Sequence, residues 1–203
     1  MRRTSLIRFL NSSEEKPLKV FREYYKKASN MNQRNIEAIS VSSYNPAKGI
    51  VDSRYVNLKF IDGNKFIFFT NYLSPKSQQF NDHKQISALI FWNTIETQIR
   101  IKADIKKTSS DFNDRYFLSR SAEKNALAIS SNQSEQIVNY QKVVDNFEQT
   151  LKNDNTERCP AYWGGYEFEP HEFEFWEGHK NRLNKRTLYT LREEKWSKVF
   201  LQP

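Results

Sequence analysis

The first apolar period along the chain is helical. Leu18, Phe21, Tyr25 and Ala28 recur at steps of three and four, which predicts an amphipathic helix, and Ser12 and Glu15 are spaced as a capping box ahead of it. After Asn30 the period falls to two. Residues 36–42 read as a strand, Asn45-Pro46-Ala47-Lys48-Gly49 as a turn, and residues 54–61 as a half-buried strand in which Tyr55, Asn57 and Lys59 alternate with Val56, Leu58 and Phe60. Asp62-Gly63-Asn64 is a hairpin signal that returns the chain through 65–70. Two further strands fall over 86–92 and 98–105; in the second, Ile99, Ile101, Ala103 and Ile105 share one face and Gln98, Arg100, Lys102 and Asp104 the other.

Helical spacing returns twice. It covers 111–119, with Phe112 and Tyr116 one turn apart, and 134–152, with Ile137, Tyr140, Val144, Phe147 and Leu151 on one stripe before an Asn153-Asp154-Asn155 stop. Strands then follow over 163–176, 187–192 and 195–201. Strands in meander order, without regular βα alternation, predict a mainly β fold with flanking helices, built as an antiparallel barrel. Residues 1–30 form an N-terminal helical extension and 31–203 the barrel domain.

Composition sharpens this picture. Hydrophobic residues are 37% of the 203, a low share, while aromatics reach 14%. Each ring can hide about 150–250 Å², so large side chains can fill a core that small aliphatics do not. The shortage of aliphatics predicts that part of that core is completed by a second subunit. The longest apolar run, residues 88–92, is far short of the ~20 residues that span a bilayer, and no membrane partner is expected. Cys159 is the single cysteine, which excludes an internal disulfide and fits a reducing, cytoplasmic compartment. His83, His171 and His179 share no metal-ligand spacing, so no metal is expected. A net charge of +8 allows a polyanionic partner without establishing one.

The chemistry-bearing positions are basic and amide side chains. Five glycines, Gly49, Gly63, Gly164, Gly165 and Gly178, cannot build a dinucleotide or phosphate loop of the usual kind. Ser74-Pro75-Lys76-Ser77 has the N-cap, proline and lysine of a helix start that can hold an anion, although a solvated lysine gives the same pattern. Arg54 and Lys59, five residues apart on one strand, fall on opposite faces unless a bulge or twist intervenes. In residues 174–186, Trp176 precedes a glycine turn and then Arg182, Lys185 and Arg186; this suits a flat, phosphorylated ligand, or a hairpin with a basic tip.

Taken in order, Arg54-x-Val56-x-Leu58-Lys59, Phe69-Thr70-Asn71, Lys76, Glu96-x-Gln98, Tyr116-x-x-x-Arg120, Gln133-Ser134, Trp163-Gly164-Gly165 and Glu174-Phe175-Trp176 followed by Arg182-Leu183 resemble the pyridoxamine 5′-phosphate oxidase family of FMN-binding split-barrel flavoproteins. The resemblance runs from about residue 36 to 203. It implies a homodimer with FMN at the interface, a C-terminal dimerisation region, and oxidation of pyridoxamine or pyridoxine 5′-phosphate to pyridoxal 5′-phosphate, with O2 as acceptor and H2O2 as product. It also implies that Arg54, Val56, Lys59, Phe69, Thr70, Lys76, Gln98, Gln133, Ser134, Trp176 and Arg186 hold the cofactor. Lys59, Tyr116, Arg120, Lys124, Arg182 and Asn184 would hold a small phosphorylated substrate, with Arg182 and Asn184 at the reacting centre.

The chain departs from the family pattern on the substrate side. Arg182-Leu183-Asn184-Lys185-Arg186 stands where members usually read Arg-Leu-His-Asp-Arg, Lys124 stands for a serine, and Pro75 for a basic residue. Asparagine cannot exchange a proton near neutral pH as histidine does. These departures keep open a related FMN oxidase of the phenazine-pathway type. A third reading, a basic aromatic barrel that binds nucleic acid, is disfavoured because two phosphorylated ligands already account for the basic residues.

Overall fold

The period-two segments assemble into a single sheet. Residues 6–153 and 155–203 are described in this computed structural model; residues 1–5 of the N-terminal extension and Asp154 of the helix stop lie outside them. In chain order the elements are β1 (Arg8–Ser12), α1 (Lys16–Asn30), β2 (Ala38–Asn45), β3 (Ile50–Asn57), β4 (Phe60–Gly63), β5 (Lys65–Asn71), α2 (Pro75–Asp82), β6 (Gln85–Trp92), β7 (Thr97–Lys107), α3 (Ser110–Leu118), α4 (Ala122–Ser130), α5 (Tyr140–Asn153), β8 (Trp163–Glu177), β9 (Lys185–Arg192) and β10 (Lys195–Leu201). The hydrogen-bonded order is β1-β4-β5-β8-β7-β6-β2-β3, with β9 on β8 and β10 on β9. Among the described residues no ladder joins β1 to β3, so the sheet is open. No described helix is long and apolar enough to cross a membrane.

The alternation read from β7 holds. Ile99, Ile101, Ala103 and Ile105 are buried while the residues between them face outward. Gly63 takes φ +61° in the β4–β5 turn, a left-handed conformation that glycine adopts without strain. β8 is the axis of the core: it pairs with β5, β7 and β9, and its Phe168, Phe173 and Phe175 join Phe66, Phe68 and Trp92 in one buried cluster. Pro170 has no N–H to donate, and the β7–β8 register shifts there, Lys102 facing Glu172 and Ala103 facing Pro170.

Four local expectations are corrected. The strand over 54–61 is broken. Leu58 N–H donates to Glu37 O and Lys59 N–H to Ile67 O, so the chain leaves β2 for β5 and Lys59 sits between β3 and β4. The N-terminal segment is more than a helix: β1 pairs parallel with β4, an exception in an otherwise antiparallel sheet, and Arg8 N–H donates to Lys59 O at 2.9 Å. The capping box does not form, because the Glu15 carboxylate accepts from Trp196 Nε1 at 3.0 Å and Pro17 in the first turn starts the helix instead. Finally, α5 begins at Tyr140, with Asn139 Oδ1 accepting from Lys142 N–H at 2.9 Å. Ser134, at φ +74°, stands outside it, and α4 is a separate helix that the apolar pattern did not announce.

Helix α1 belongs to the core. Phe21 is 1% exposed, edge-on to Phe66 at 5.1 Å and tilted on Trp92 at 5.6 Å. Phe21→Ala is expected to cost about 3–5 kcal/mol. The urea midpoint should fall accordingly at unchanged slope; a parental midpoint would mean that α1 packs as a dispensable extension.

Candidate active site

The start of α2 buries a lysine among uncharged oxygens. The backbone at Ser74 is extended, as an N-cap requires, but its hydroxyl does not cap the helix; it donates to Asn71 O at 2.7 Å, as does Ser77 Oγ at 2.9 Å. Lys76, 9% exposed, donates to Gln133 Oε1 at 2.9 Å and to Thr70 Oγ1 and Ser74 Oγ at 3.2 Å each. Gln133 Oε1 also accepts from Thr70 Oγ1 at 2.8 Å. Burial, reinforced by the charge of Arg54, pushes Lys76 down to about 8. Arg54 itself is held by neutral acceptors: Ser43 Oγ at 2.6 Å, Gln79 Oε1 at 3.1 Å and Val41 O at 3.2 Å. The break after Asn57 resolves the question of faces, since Lys59 no longer follows the alternation of the strand that carries Arg54.

Lys76, Thr70 and Gln133 line a cavity of about 340 Å³ whose wall also includes Val56, Lys59, Phe69, Tyr116, Arg120, Lys124 and Trp163. An adjoining space of about 240 Å³ shares Lys59, Tyr116, Arg120 and Lys124 and adds Arg8 of β1. Among the described residues no acidic side chain lines either space. Burial lowers Lys59, opposed by Glu37 and aided by Lys124 and Arg120. Burial also lowers Arg120, and raises Tyr116 against the pull of Arg120 and Arg8.

The wall beside these cations is aromatic. Tyr116 stacks on Phe69 at 4.0 Å and Phe69 on Trp163 at 5.1 Å, and the Arg120 guanidinium lies 4.4 Å from the Trp163 ring centre. Arg120 Nη2 donates to Lys124 O at 2.6 Å, but its buried Nη1 has no hydrogen-bond partner among the described residues. A buried donor left unanswered is costly, and a phosphate oxygen would answer it. Together with Lys76 among neutral acceptors, it fits this cavity to phosphorylated ligands. Trp163 and Arg8 were not among the residues singled out for the site. A signal for Trp163 existed in Gly164-Gly165: a Cβ on Gly164 would stand 2.2 Å from the Tyr72 hydroxyl, and one on Gly165 2.6 Å from Thr108 Oγ1, so β8 enters the sheet too tightly for side chains there.

The other expected residues lie elsewhere on the chain. Ser134 is exposed and lines a separate space of about 680 Å³ between the 131–138 segment and α5. Gln98, Trp176 and Arg186 form a row across β7, β8 and β9. Arg186 Nε donates to Glu174 Oε1 at 2.8 Å and its Nη1 to Gln202 O at 3.0 Å. Arg182, at φ +60°, stands exposed in the loop after β8. Asn184 closes that loop, its Oδ1 accepting from His179 N–H at 3.1 Å. None of Gln98, Trp176, Arg182, Asn184 or Arg186 lines the cavity around Lys59.

Comparison with known proteins gives consistent findings. Residues 30–153 match the family described as pyridoxamine 5′-phosphate oxidase, and 163–203 match the pyridoxine 5′-phosphate oxidase C-terminal dimerisation region. The pyridoxine/pyridoxamine 5′-phosphate oxidase of Legionella pneumophila is 33% identical over 95% of this chain and 90% of its own; that of Leptospira biflexa is 32% identical over 99% and 97%. Among solved structures, PhzG from Burkholderia lata 383, in complex with tetrahydrophenazine-1-carboxylic acid, superposes with a TM-score of 0.87 at 26% identity, covering 93% of each chain. An FMN binding protein from Nostoc punctiforme, related to pyridoxamine 5′-phosphate oxidase, shares the fold at a TM-score of 0.79 and 13% identity.

The Lys76 environment sets a pH dependence. Its folded pKa lies below the unfolded value of 10.5, so the unfolded chain binds more protons between about 8 and 10.5 and stability rises with pH in that window. In flavin-free protein the rise should be on the order of 3 kcal/mol, and Lys76→Met should abolish it. Denaturation midpoints at pH 7.5 and 10.5 check this; parallel curves for the two proteins would show that Lys76 is not strained by burial.

Proposed function

The chain belongs to the pyridoxamine 5′-phosphate oxidase family and is an FMN-dependent, oxidase-like enzyme, and on that premise we propose that it oxidises pyridoxamine or pyridoxine 5′-phosphate to pyridoxal 5′-phosphate in the cytoplasm. The observation that carries this reading is one cavity lined by four cations, Lys76 beside Thr70 and Gln133 together with Lys59, Arg120 and Lys124. Two phosphorylated ligands, a cofactor and a substrate, match that much positive charge. The chemistry FMN supplies when bound is two-electron oxidation of the carbon bearing the amine or alcohol, with O2 as final acceptor and H2O2 as product.

The chain's own residues bind and orient. Lys76, Thr70 and Gln133 hold the flavin phosphate, with Arg54 adding charge from β3; Val56 and Phe69 line the cofactor's side. Arg120 and Lys124 hold the substrate phosphate with Lys59, and Tyr116, fixed flat against Phe69, bounds the substrate ring. Ser134 follows Gln133 toward the cofactor. Gln98, Trp176 and Arg186, with Arg182 and Asn184, supply the other half of the site from the second copy of a homodimer. The match to a dimerisation region and the outward ring of Phe91, 57% exposed directly opposite Gln98, support that arrangement. In it the open sheet is a split barrel, with β1 joined at β4 and α1 closing over part of its core.

A phenazine-pathway type of oxidase is the competing reading, favoured by the likeness to PhzG and by Asn184. The assay that separates them measures peroxide from both vitamin phosphates. Rates with neither, in protein that retains FMN, would overturn the vitamin reading in favour of the other.

Two expected outcomes follow from the residue roles. Lys76→Ala should weaken FMN roughly ten- to a hundredfold, the loss of one charge-assisted phosphate partner; flavin titration of stripped protein measures it, and parental affinity would remove Lys76 from the site. Asn184 can donate or accept a hydrogen bond but cannot take a proton, and proton transfer assistance is worth about 10²–10⁴-fold where it operates. Asn184→His should therefore raise turnover on the alcohol, pyridoxine 5′-phosphate, more than on the amine. Equal gains on both, or none, would place proton removal elsewhere.

A further inference from the structure

We propose that Gln79 is a positioning residue for the flavin phosphate: a buried, uncharged acceptor that fixes the Arg54 guanidinium and leaves its charge for the ligand. The inference rests on the reading that Arg54 and Lys76 face that phosphate. Gln79 lies on α2 and is 2% exposed. Its Oε1 accepts from Arg54 Nη2 and from Ser43 Oγ, and its Nε2 donates to Asp52 Oδ2 at 2.6 Å. The amide thus occupies both of its ends, with a cation on one side and a carboxylate on the other.

The chemistry of that choice is specific. A carboxylate at this position would form a charge-assisted pair with Arg54 and cancel the field that Arg54 adds beside Lys76. Gln79 makes the same geometric contact with no charge, and it engages the nearby acid, Asp52, through its own N–H. Among the described residues, every hydrogen-bond acceptor of the Arg54 guanidinium is neutral. Arg54 acts on Lys76 and Asp52 on Arg54, both from β3, while Lys59, Arg120 and Lys124 line the same cavity as Lys76. Two cations are therefore held near each other with no carboxylate hydrogen-bonded to either among the described residues, Asp52 being taken up by Gln79, a costly arrangement that a phosphate dianion relieves. Sequence reading passed over Gln79 because a glutamine in the second turn of a short helix carries no motif.

The test is FMN titration of flavin-stripped protein from pH 6.5 to 9.5, with riboflavin, which lacks the phosphate, as the control ligand. Gln79→Glu keeps size and acceptor but adds the charge. It should weaken FMN by about tenfold or more while leaving riboflavin unchanged. Because the added carboxylate favours the protonated lysine, the pH above which FMN affinity falls should move upward from about 8 by about one pH unit. Gln79→Met should weaken FMN less and leave that pH unmoved. FMN binding by the Glu variant within about twofold of the parent, or an equal loss for riboflavin, overturns the proposal. Should the Glu variant fail to fold, the Met variant decides: parental FMN affinity overturns the proposal. Lys76→Ala separates the two levels, since parental FMN affinity there sinks the phosphate reading itself, whereas a weak Lys76→Ala beside a parental Gln79→Glu sinks only the role of Gln79.

Discussion

A buried ammonium without a carboxylate organises this molecule. Lys76 has its stem packed at the start of α2 and its charge answered only by hydroxyl and amide oxygens. Such a group is tolerated only where its neighbours are fixed, and much of the surrounding structure does that fixing. The Ser74 and Ser77 hydroxyls turn back onto Asn71 O and anchor the helix start to β5. Gln133 comes from a segment more than fifty residues downstream to accept from both Lys76 and Thr70, and it lies in the non-helical stretch between α4 and α5.

The strand that carries the core carries a second kind of order on its outer face. Along β8, Glu167, Glu172 and Glu174 each meet cations from neighbouring strands: Lys65 and Lys106, Lys102, and Arg100 and Arg186. Most of these pairs are exposed on the cationic side and add little stability individually. Their collective effect is to neutralise the positive charge of β7 and β9 on that face. Among the described residues, no acidic side chain lines the cavity that holds Lys59, Lys76, Arg120 and Lys124. The formal charge of +8 therefore understates how unevenly positive charge is left exposed to ligands.

What was legible in the sequence was the part governed by local period and turn chemistry. β7 alternates as written, the Asp62-Gly63 hairpin forms where a glycine was needed, and α1 buries the stripe that Leu18, Phe21 and Ala28 mark. What was not legible depended on partners far away. The break at Lys59 reflects a change of sheet neighbour that no residue in 54–61 announces. The short strand β1 exists because β4 offers an edge. The 134–152 pattern is apolar at helical spacing, yet Ile137 is 47% exposed and the helix starts only at Tyr140, tertiary context overriding propensity. The candidate site divides in the same way. Lys59, Thr70, Lys76, Tyr116, Arg120, Lys124 and Gln133 meet in one cavity, while Gln98, Trp176 and Arg186 gather elsewhere on the sheet. A motif order in sequence cannot say which half of a site each residue will occupy.

The hydrogen bond between Glu15 and Trp196 spans 181 residues, and it sets an order of events during biosynthesis. Helix α1 leaves the ribosome well before the indole that takes its Glu15 carboxylate. At about 5–20 residues per second, that separation leaves the contact unmade for roughly 10–35 s. For most of that interval Tyr24, which finally stacks on Phe175 of β8, also lacks its cover. The nascent chain must therefore carry an amphipathic, partly uncovered helix while β2 to β7 are being made.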